Sequence, residues 1–110
     1  MLMKMIMAIV QNMDADAVIE ALVGSGQRIT RVATTGGFFR QGNTTFLAGV
    51  EDEQVKSVLE ILREYCQTRK RLRPVQPDPA GPVPVVGGYV EVEVGGANVF
   101  VFDVERYEHF

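Results

Sequence analysis

The sequence predicts an α+β domain of the ferredoxin-like type, with elements in the order β-α-β-β-α-β-β and so one strand beyond the basic motif. Two segments repeat apolar residues at three- and four-residue spacing, which is typical of amphipathic helices. The remaining segments are short apolar or alternating runs bounded by Gly, Asn or Pro, which is typical of strands. With 110 residues and a formal charge of -3, the chain suffices for one core, and we predict a single domain over residues 1–110.

The first half of the chain contains three predicted strands and one helix. Residues 4–11 are almost continuously apolar, as in a strand buried on both faces. Residues 14–23 follow as a helix with Asp14 as its predicted N-cap. Residues 27–35 and 43–50, rich in Thr, Val and Phe, predict two antiparallel strands joined by a glycine-rich loop.

The second half begins with a predicted helix from Glu51 to about Thr68, whose first turn is acidic. Cys66 lies on its apolar face, so we interpret this only cysteine as a small core residue rather than a reactive thiol. A basic run follows and leads into a segment with all five prolines, and we predict a long Pro-rich loop over about 69–88.

The chain ends with two predicted strands that turn at a Gly-Gly pair. Tyr89 to Val94 alternates between valine and polar residues, as in a half-exposed strand, while Val99 to Phe102 is apolar on both faces. Two helices can cover only one face of the predicted sheet. We therefore expect another subunit to cover the second face, although the pattern itself does not choose between a dimer and a trimer.

The residue types argue against catalysis. The chain has one histidine, His109, and one cysteine, which form no recognisable nucleophile, base or metal set, so we predict no enzyme and no metal site. The apolar start of the chain is too short for a membrane helix and lacks a cleavage site. A single cysteine permits no intrachain disulfide, and we expect a cytoplasmic protein without membrane contact.

A basic block suggests the binding of an anion. Residues 28–50 contain Arg28, Arg31 and Arg40 but no Asp or Glu, within a chain of net negative charge. Arg28 and Thr30 lie two apart on one predicted strand and so share a face, where they could hold a phosphate together. The alternative is a glycine-rich hairpin that merely carries surface charges.

The loop between these two strands combines glycines with aromatic residues. Gly36 and Gly37 could bring backbone N–H groups close to a phosphate, and Phe38 or Phe39 could stack on a purine. Packing into a core or a subunit interface is an equal alternative for each ring. Asn43 lies across the hairpin, where its amide could bind a phosphate or a base edge.

Three long motifs carry a resemblance to a known family. These are ATTGG followed by Phe and a basic residue, then GNTTFLAGVEDEQV, and then VEVEVGGANVFV with a final aromatic-x-x-Phe. With them the chain resembles, from Met3 to Phe110, the PII-like cyclic-di-AMP receptors known as DarA or PstA. The Pro-rich loop differs from the family in length and content.

The resemblance implies a bacterial homotrimer that binds three cyclic-di-AMP molecules in clefts between subunits, without catalysis or a cofactor. It further implies mobile loops that respond to the ligand and act on an unknown downstream protein. His109 stands where relatives usually carry Gln, and an imidazole can replace only one function of that amide. The ligand-binding residues that the resemblance implies are Arg28, Thr30, Gly36, Gly37, Phe38, Asn43, Gly49, Phe100 and His109.

Two further functions stay open at this point. A PII-like sensor of ATP or ADP would use the same adenine and phosphate chemistry, and a trimeric scaffold would need no ligand. The basic rim of the Pro-rich loop is not by itself a nucleic-acid site, so we expect no nucleic-acid partner.

Overall fold

A computed structural model describes residues 2–34, 42–74 and 88–110. Three of the predicted ligand-binding residues, Gly36, Gly37 and Phe38, lie outside the described residues, as does most of the predicted Pro-rich loop. The described residues form these elements in order: β1 (Met3–Gln11), α1 (Asn12–Gly24), β2 (Ile29–Thr34), β3 (Asn43–Glu51), a 3-10 turn (Asp52–Gln54), α2 (Val55–Cys66), β4 (Arg69–Pro74), β5 (Tyr89–Val94) and β6 (Ala97–Val104).

Four of the strands form one antiparallel sheet in the order β2-β3-β1-β6. β3 lies between β1 and β2, so the two strands that α1 connects are not neighbours, which is the split βαβ arrangement. The register places Gly49 opposite Met5 and Ala48 opposite Ile29. The predicted ferredoxin-like α+β fold is confirmed.

One face of this sheet carries both helices and forms the core. Alternate strand residues point toward the helices and are almost completely buried: Ile6, Ala8, Val10, Phe46, Ala48 and Val50. Val18 and Leu22 of α1 and Val58 and Leu62 of α2 pack against them. Each buried side chain of this size contributes roughly 1.5–3 kcal/mol through removal from water, so this face accounts for most of the hydrophobic stabilisation of the subunit.

Cys66 closes the apolar face of α2, as predicted, and is buried. Burial disfavours the thiolate and raises the pKa of the Cys66 thiol from 9.0 to about 12. This cysteine is therefore a protonated core residue at neutral pH.

The predicted loop over 69–88 is wrong at its start. Arg69–Pro74 is strand β4, which pairs antiparallel with β5 in a separate two-stranded ribbon. The sequence pattern does not reveal this strand. All of its residues are exposed, so it lacks the alternation of buried apolar and exposed polar residues that identifies a strand.

The last two strands, which the sequence places on either side of a Gly-Gly turn, do not pair with each other. Gly95 and Gly96 have φ values of 84° and 88°, which non-glycine residues rarely adopt. They redirect the chain between the ribbon and the sheet, so β5 pairs with β4 while β6 pairs with β1.

Asp14 is not the helix cap that the sequence suggests. α1 begins at Asn12, and the buried Asp14 carboxylate in its first turn accepts a hydrogen bond from Arg69 at 2.8 Å. The Gln11 side chain also accepts a hydrogen bond from the Gly95 N–H at 2.7 Å. Both contacts fasten the base of the ribbon to the body of the domain.

Candidate functional site

The second face of the sheet, which we call the bare face, is covered by neither of the two described helices. It consists of the strand residues that alternate with the core residues, and the register aligns them in rows across the sheet. One row runs from Thr30 through Leu47 and Met7 to Phe100. In the next row Phe102 lies beside Met5.

The aromatic end of the bare face is unusually open for such large apolar side chains. Phe100 is 41% exposed and Phe102 is 48% exposed. Their rings stack on each other at 6.4 Å between centroids and 20° between planes. Exposed apolar rows of this kind are typical of surfaces that associate, which agrees with the need for cover that the sequence predicts.

An open groove of about 430 Å³ lies at one end of the bare face. Three of the predicted ligand-binding residues, Arg28, Thr30 and Gly49, line it together. The full lining consists of Met3, Met5, Arg28, Thr30, Leu47, Gly49, Val104 and Tyr107. The groove thus combines a cation and a hydroxyl with apolar walls, as many small-ligand sites do.

Strand alternation separates the two described arginines of the basic block. Arg31 points to the helix side of β2, where it donates to Asp16 at 2.9 Å. Arg28 lines the groove and makes no ion pair within residues 2–34, 42–74 and 88–110. Arg28 is therefore the charge that the groove offers to an anion.

Gly49 leaves space in the groove because it has no side chain. A Cβ atom added there would lie 3.7 Å from the Met3 Cε, an ordinary contact, and the backbone of Gly49 is not in the left-handed region. The fold would accept a side chain at this position, so the glycine matters for the space above it. A bulky residue would fill the groove from below.

Asn43 lies at the other end of β3, and its side-chain amide is buried. It is 4% exposed, and among the described residues neither its side-chain nitrogen nor its side-chain oxygen has a hydrogen-bond partner. Hydrogen bonds connect both of its sequence neighbours to Asn12. The Thr44 hydroxyl donates to the Asn12 Oδ1 at 2.6 Å, and the Asn12 N–H donates to the Gly42 carbonyl at 3.4 Å. A buried amide without partners costs roughly 1–3 kcal/mol, so any group that formed hydrogen bonds with it would recover this energy.

The structure does not bring all the predicted site residues together within one subunit. Asn43 and Gly49 are six residues apart along one strand, or about 20 Å. Phe100 lies three strands away from Thr30, or about 14 Å. Phe100 and the exposed His109 are absent from the described lining of the groove.

Several groove residues were missed in the sequence. Met5 and Leu47 follow from strand alternation once the register is known, because both occupy the bare face beside Gly49 and Thr30. Tyr107 belongs to the segment after β6, which has no regular structure and therefore no periodic signal.

Within the described parts of the chain, no helix is long and apolar enough to cross a membrane. The same residues contain no group of three or more His, Cys, Asp or Glu side chains arranged to hold a metal ion.

Solved structures with the same architecture define the class of fold. A functionally unknown protein from Pediococcus pentosaceus ATCC 25745 is 37% identical, with a TM-score of 0.80 over 100% of this chain and 99% of that chain. A DUF3240 family protein from Shewanella baltica OS155 is 15% identical, with a TM-score of 0.56 over 98% and 96% of the two chains. CPII bound to ADP and bicarbonate, from Thiomonas intermedia K12, is 14% identical, with a TM-score of 0.52 over 96% and 91%.

The last two likenesses concern the fold alone, and that fold is PII-like. The sequence assigns the chain within this class. The family model for the cyclic-di-AMP receptor matches residues 3–110, and the chain belongs to this family.

Proposed function

We propose that this protein is a cytoplasmic receptor that binds cyclic-di-AMP on the bare face and has no catalytic activity. One observation carries the proposal: Arg28, Thr30 and Gly49 meet in one open groove, where Arg28 has no ion pair with any residue that the structure describes. Membership of the cyclic-di-AMP receptor family supports this ligand over other anions.

Each subunit offers two separate parts of a site. The groove supplies a guanidinium and a hydroxyl for a phosphate, while Asn43 supplies an amide donor and acceptor suited to an adenine edge. The two parts lie about 20 Å apart on β3. One nucleotide can use both only if they come from different subunits.

A closed head-to-tail ring solves this geometric problem. In such a ring, the Asn43 end of one subunit meets the groove of the next, and every copy of the site is completed in the same way. The ring also covers the apolar rows of the bare face. We propose a homotrimer of this kind, with the loop residues Gly36, Gly37 and Phe38 entering the site beside Asn43.

The tail and the last strand complete the proposed site. Phe100 and His109 lie outside the groove of their own subunit, so we assign them to the cleft formed with a neighbour. There Phe100 supplies an apolar ring face, and His109 supplies one ring nitrogen to an adenine edge. Ligand-dependent ordering of the loop beside Asn43 would then relay the signal to a downstream protein.

Calorimetric titration tests this function directly. The wild-type protein is titrated with cyclic-di-AMP, cyclic-di-GMP, ATP and ADP, and we expect the tightest binding for cyclic-di-AMP. Arg28→Ala should weaken that binding by roughly 1.5–3 kcal/mol, the value of a charge-assisted hydrogen bond. Arg31→Ala is the matched control, because it removes a nearby arginine that lies on the helix side of the sheet and pairs with Asp16.

Three results would refute parts of the proposal. Tighter binding of ATP or ADP would make the protein a nucleotide sensor, and no binding of any of the four compounds would favour a scaffold. Equal loss of affinity in Arg28→Ala and Arg31→Ala would show that general charge, rather than the groove, attracts the ligand.

A further inference from the structure

We propose that Tyr107 stacks on a purine base of the bound nucleotide, while Arg28 and Thr30 of the same groove hold a phosphate. This inference deepens the proposed function and rests on it, because it requires a nucleotide in the groove. It gives a binding role to the segment after β6, which has no regular structure.

The end of β6 brings Tyr107 to the groove. Val104 is the last residue of β6 and lies opposite Met3 of β1. Both residues line the groove, so the chain leaves the sheet at the edge of the groove. Tyr107 follows three residues later and lines the groove together with Arg28 and Thr30. One open groove thus contains an aromatic ring, a guanidinium and a hydroxyl.

The Tyr107 side chain is available to a ligand. It is 62% exposed, and among the described residues it has no hydrogen bond and no stacked ring. The charged residues on either side of it pair with each other instead, since Arg106 donates to Glu108 at 2.6 Å. Because this pair offsets the negative charge of Glu108, the carboxylate repels a nearby phosphate less strongly.

The ring supplies a contact that the rest of the groove lacks. Tyr107 is the only aromatic residue of the described lining, whose other apolar side chains are methionine, leucine and valine. Those side chains offer apolar area but no planar face. A phenol ring can lie parallel to a purine while its hydroxyl, at the ring edge, stays in water. The groove can therefore hold a base as well as a phosphate.

A ligand with two bases can use Tyr107 and Asn43 at the same time. The proposed ring of subunits brings the Asn43 end of one subunit to the groove of the next. A cyclic dinucleotide carries two bases, joined through its sugars and phosphates. One base can lie at Asn43 of a neighbour, and the other can lie against Tyr107 in the groove.

Tyrosine fluorescence reports on this contact, because the chain contains no tryptophan and three tyrosines. Stacking on a purine quenches tyrosine emission. Cyclic-di-AMP is titrated into the wild-type protein, and we expect quenching that follows the calorimetric binding curve. Tyr107→Phe should remove this quenching. Tyr89→Phe is the matched control, because it changes an exposed tyrosine of the ribbon, and it should leave the quenching in place.

Affinity separates stacking from packing. Tyr107→Ala should weaken cyclic-di-AMP binding about tenfold, the size of effect typical of a lost stacking ring. Tyr107→Phe keeps the ring face and should restore affinity to within about threefold of the wild type. Without nucleotide, light scattering and the melting temperature should be the same for the wild-type protein and Tyr107→Ala, because the side chain is exposed.

Four results would overturn the inference. A change of assembly in Tyr107→Ala would assign the ring to packing against a neighbour, and quenching that survives in Tyr107→Phe would place the stacked tyrosine elsewhere. Unchanged affinity in Tyr107→Ala, together with lost affinity in Arg28→Ala, would refute the stacking role and leave the proposed function standing. Absence of cyclic-di-AMP binding by the wild-type protein would refute both.

Discussion

The two faces of the central sheet are built from the same strands but have opposite roles. On the helix side, Ile6, Phe46 and Val50 are at most 2% exposed. On the bare side, Phe100 and Phe102 are more than 40% exposed. Both faces are apolar, so residue type does not distinguish the face that forms the core from the face that we propose assembles and binds the ligand.

The two faces differ in whether their polar groups have partners. On the helix side the buried polar groups have partners or stay neutral: the Asp14 carboxylate accepts a hydrogen bond from Arg69, and burial raises the pKa of the Cys66 thiol. On the bare side, Arg28 has no ion pair and the Asn43 amide has no hydrogen bond within the described part of the chain. A face that retains unsatisfied polar groups among apolar rows is suited to binding, because a ligand or a neighbouring subunit can satisfy them.

The largest loss of stability should come from truncating an aromatic ring on the helix side of the sheet. Phe46→Ala removes a fully buried side chain and should lower the free energy of unfolding by about 3–5 kcal/mol. Phe100→Ala on the bare face should mainly weaken subunit association. Chemical denaturation measures the first effect, and light scattering over a range of concentrations measures the second.

Equal destabilisation by the two variants at low protein concentration would contradict this contrast. It would mean that Phe100 already packs within its own subunit, and that the bare face needs no partner.

Replacing Asn43 should raise stability and weaken ligand binding. Asn43→Ala removes a buried amide without partners, so we expect the ligand-free protein to gain roughly 1 kcal/mol while affinity for cyclic-di-AMP falls about tenfold. Thr44→Val is the control with the opposite sign, because it leaves the Asn12 Oδ1 without its donor and should lower stability. Denaturation and calorimetry together test the pair.

A loss of stability in Asn43→Ala would show that this amide has a partner in the ligand-free assembly. It would then be a structural residue rather than one kept free for the nucleotide.

Cys66 tests whether the helix side is as closed as its burial indicates. The pKa of its thiol is about 12 in the folded protein against 9.0 ordinarily. Below pH 9 both states hold the proton. Above pH 9 the unfolded state loses it first, so stability should fall by about 1.4 kcal/mol per pH unit up to pH 12. Denaturation at pH 8 and pH 10 measures the fall, and Cys66→Ala should lack this part of it.

If the wild-type protein and Cys66→Ala lose equal stability over this range, the thiol is accessible to solvent. The helix side of the sheet would then be more accessible to solvent than the contrast between the two faces requires.

The smallest effect concerns the floor of the groove. Gly49→Val should raise the stability of the ligand-free protein by about 0.5–1 kcal/mol, because glycine is a poor strand residue and a Cβ has room there. The same substitution should fill the groove and weaken nucleotide binding. A thermal melt with and without cyclic-di-AMP shows both, and undiminished binding would place the ligand elsewhere on the bare face.

Strand alternation made much of the fold and part of the site predictable. Apolar runs located β1 and β3, and alternation placed Arg28 and Thr30 on one face. It failed for β4, because this strand is stabilised by pairing with β5 and has no buried side of its own. It also could not show that Asn43 and Gly49 are distant within one subunit, since that distance matters only once assembly is considered.

Subunit complementation tests the shared site most directly. Arg28→Ala and Asn43→Ala are each prepared, and each should bind cyclic-di-AMP weakly. The two are then unfolded, mixed in equal amounts and refolded into mixed trimers. If Arg28 and Asn43 of one site come from different subunits, roughly one quarter of the clefts regain both residues. Calorimetry should therefore show recovered high-affinity binding at about one quarter of the wild-type stoichiometry. No recovery in confirmed mixed trimers would place both residues of each site in the same subunit and contradict the account.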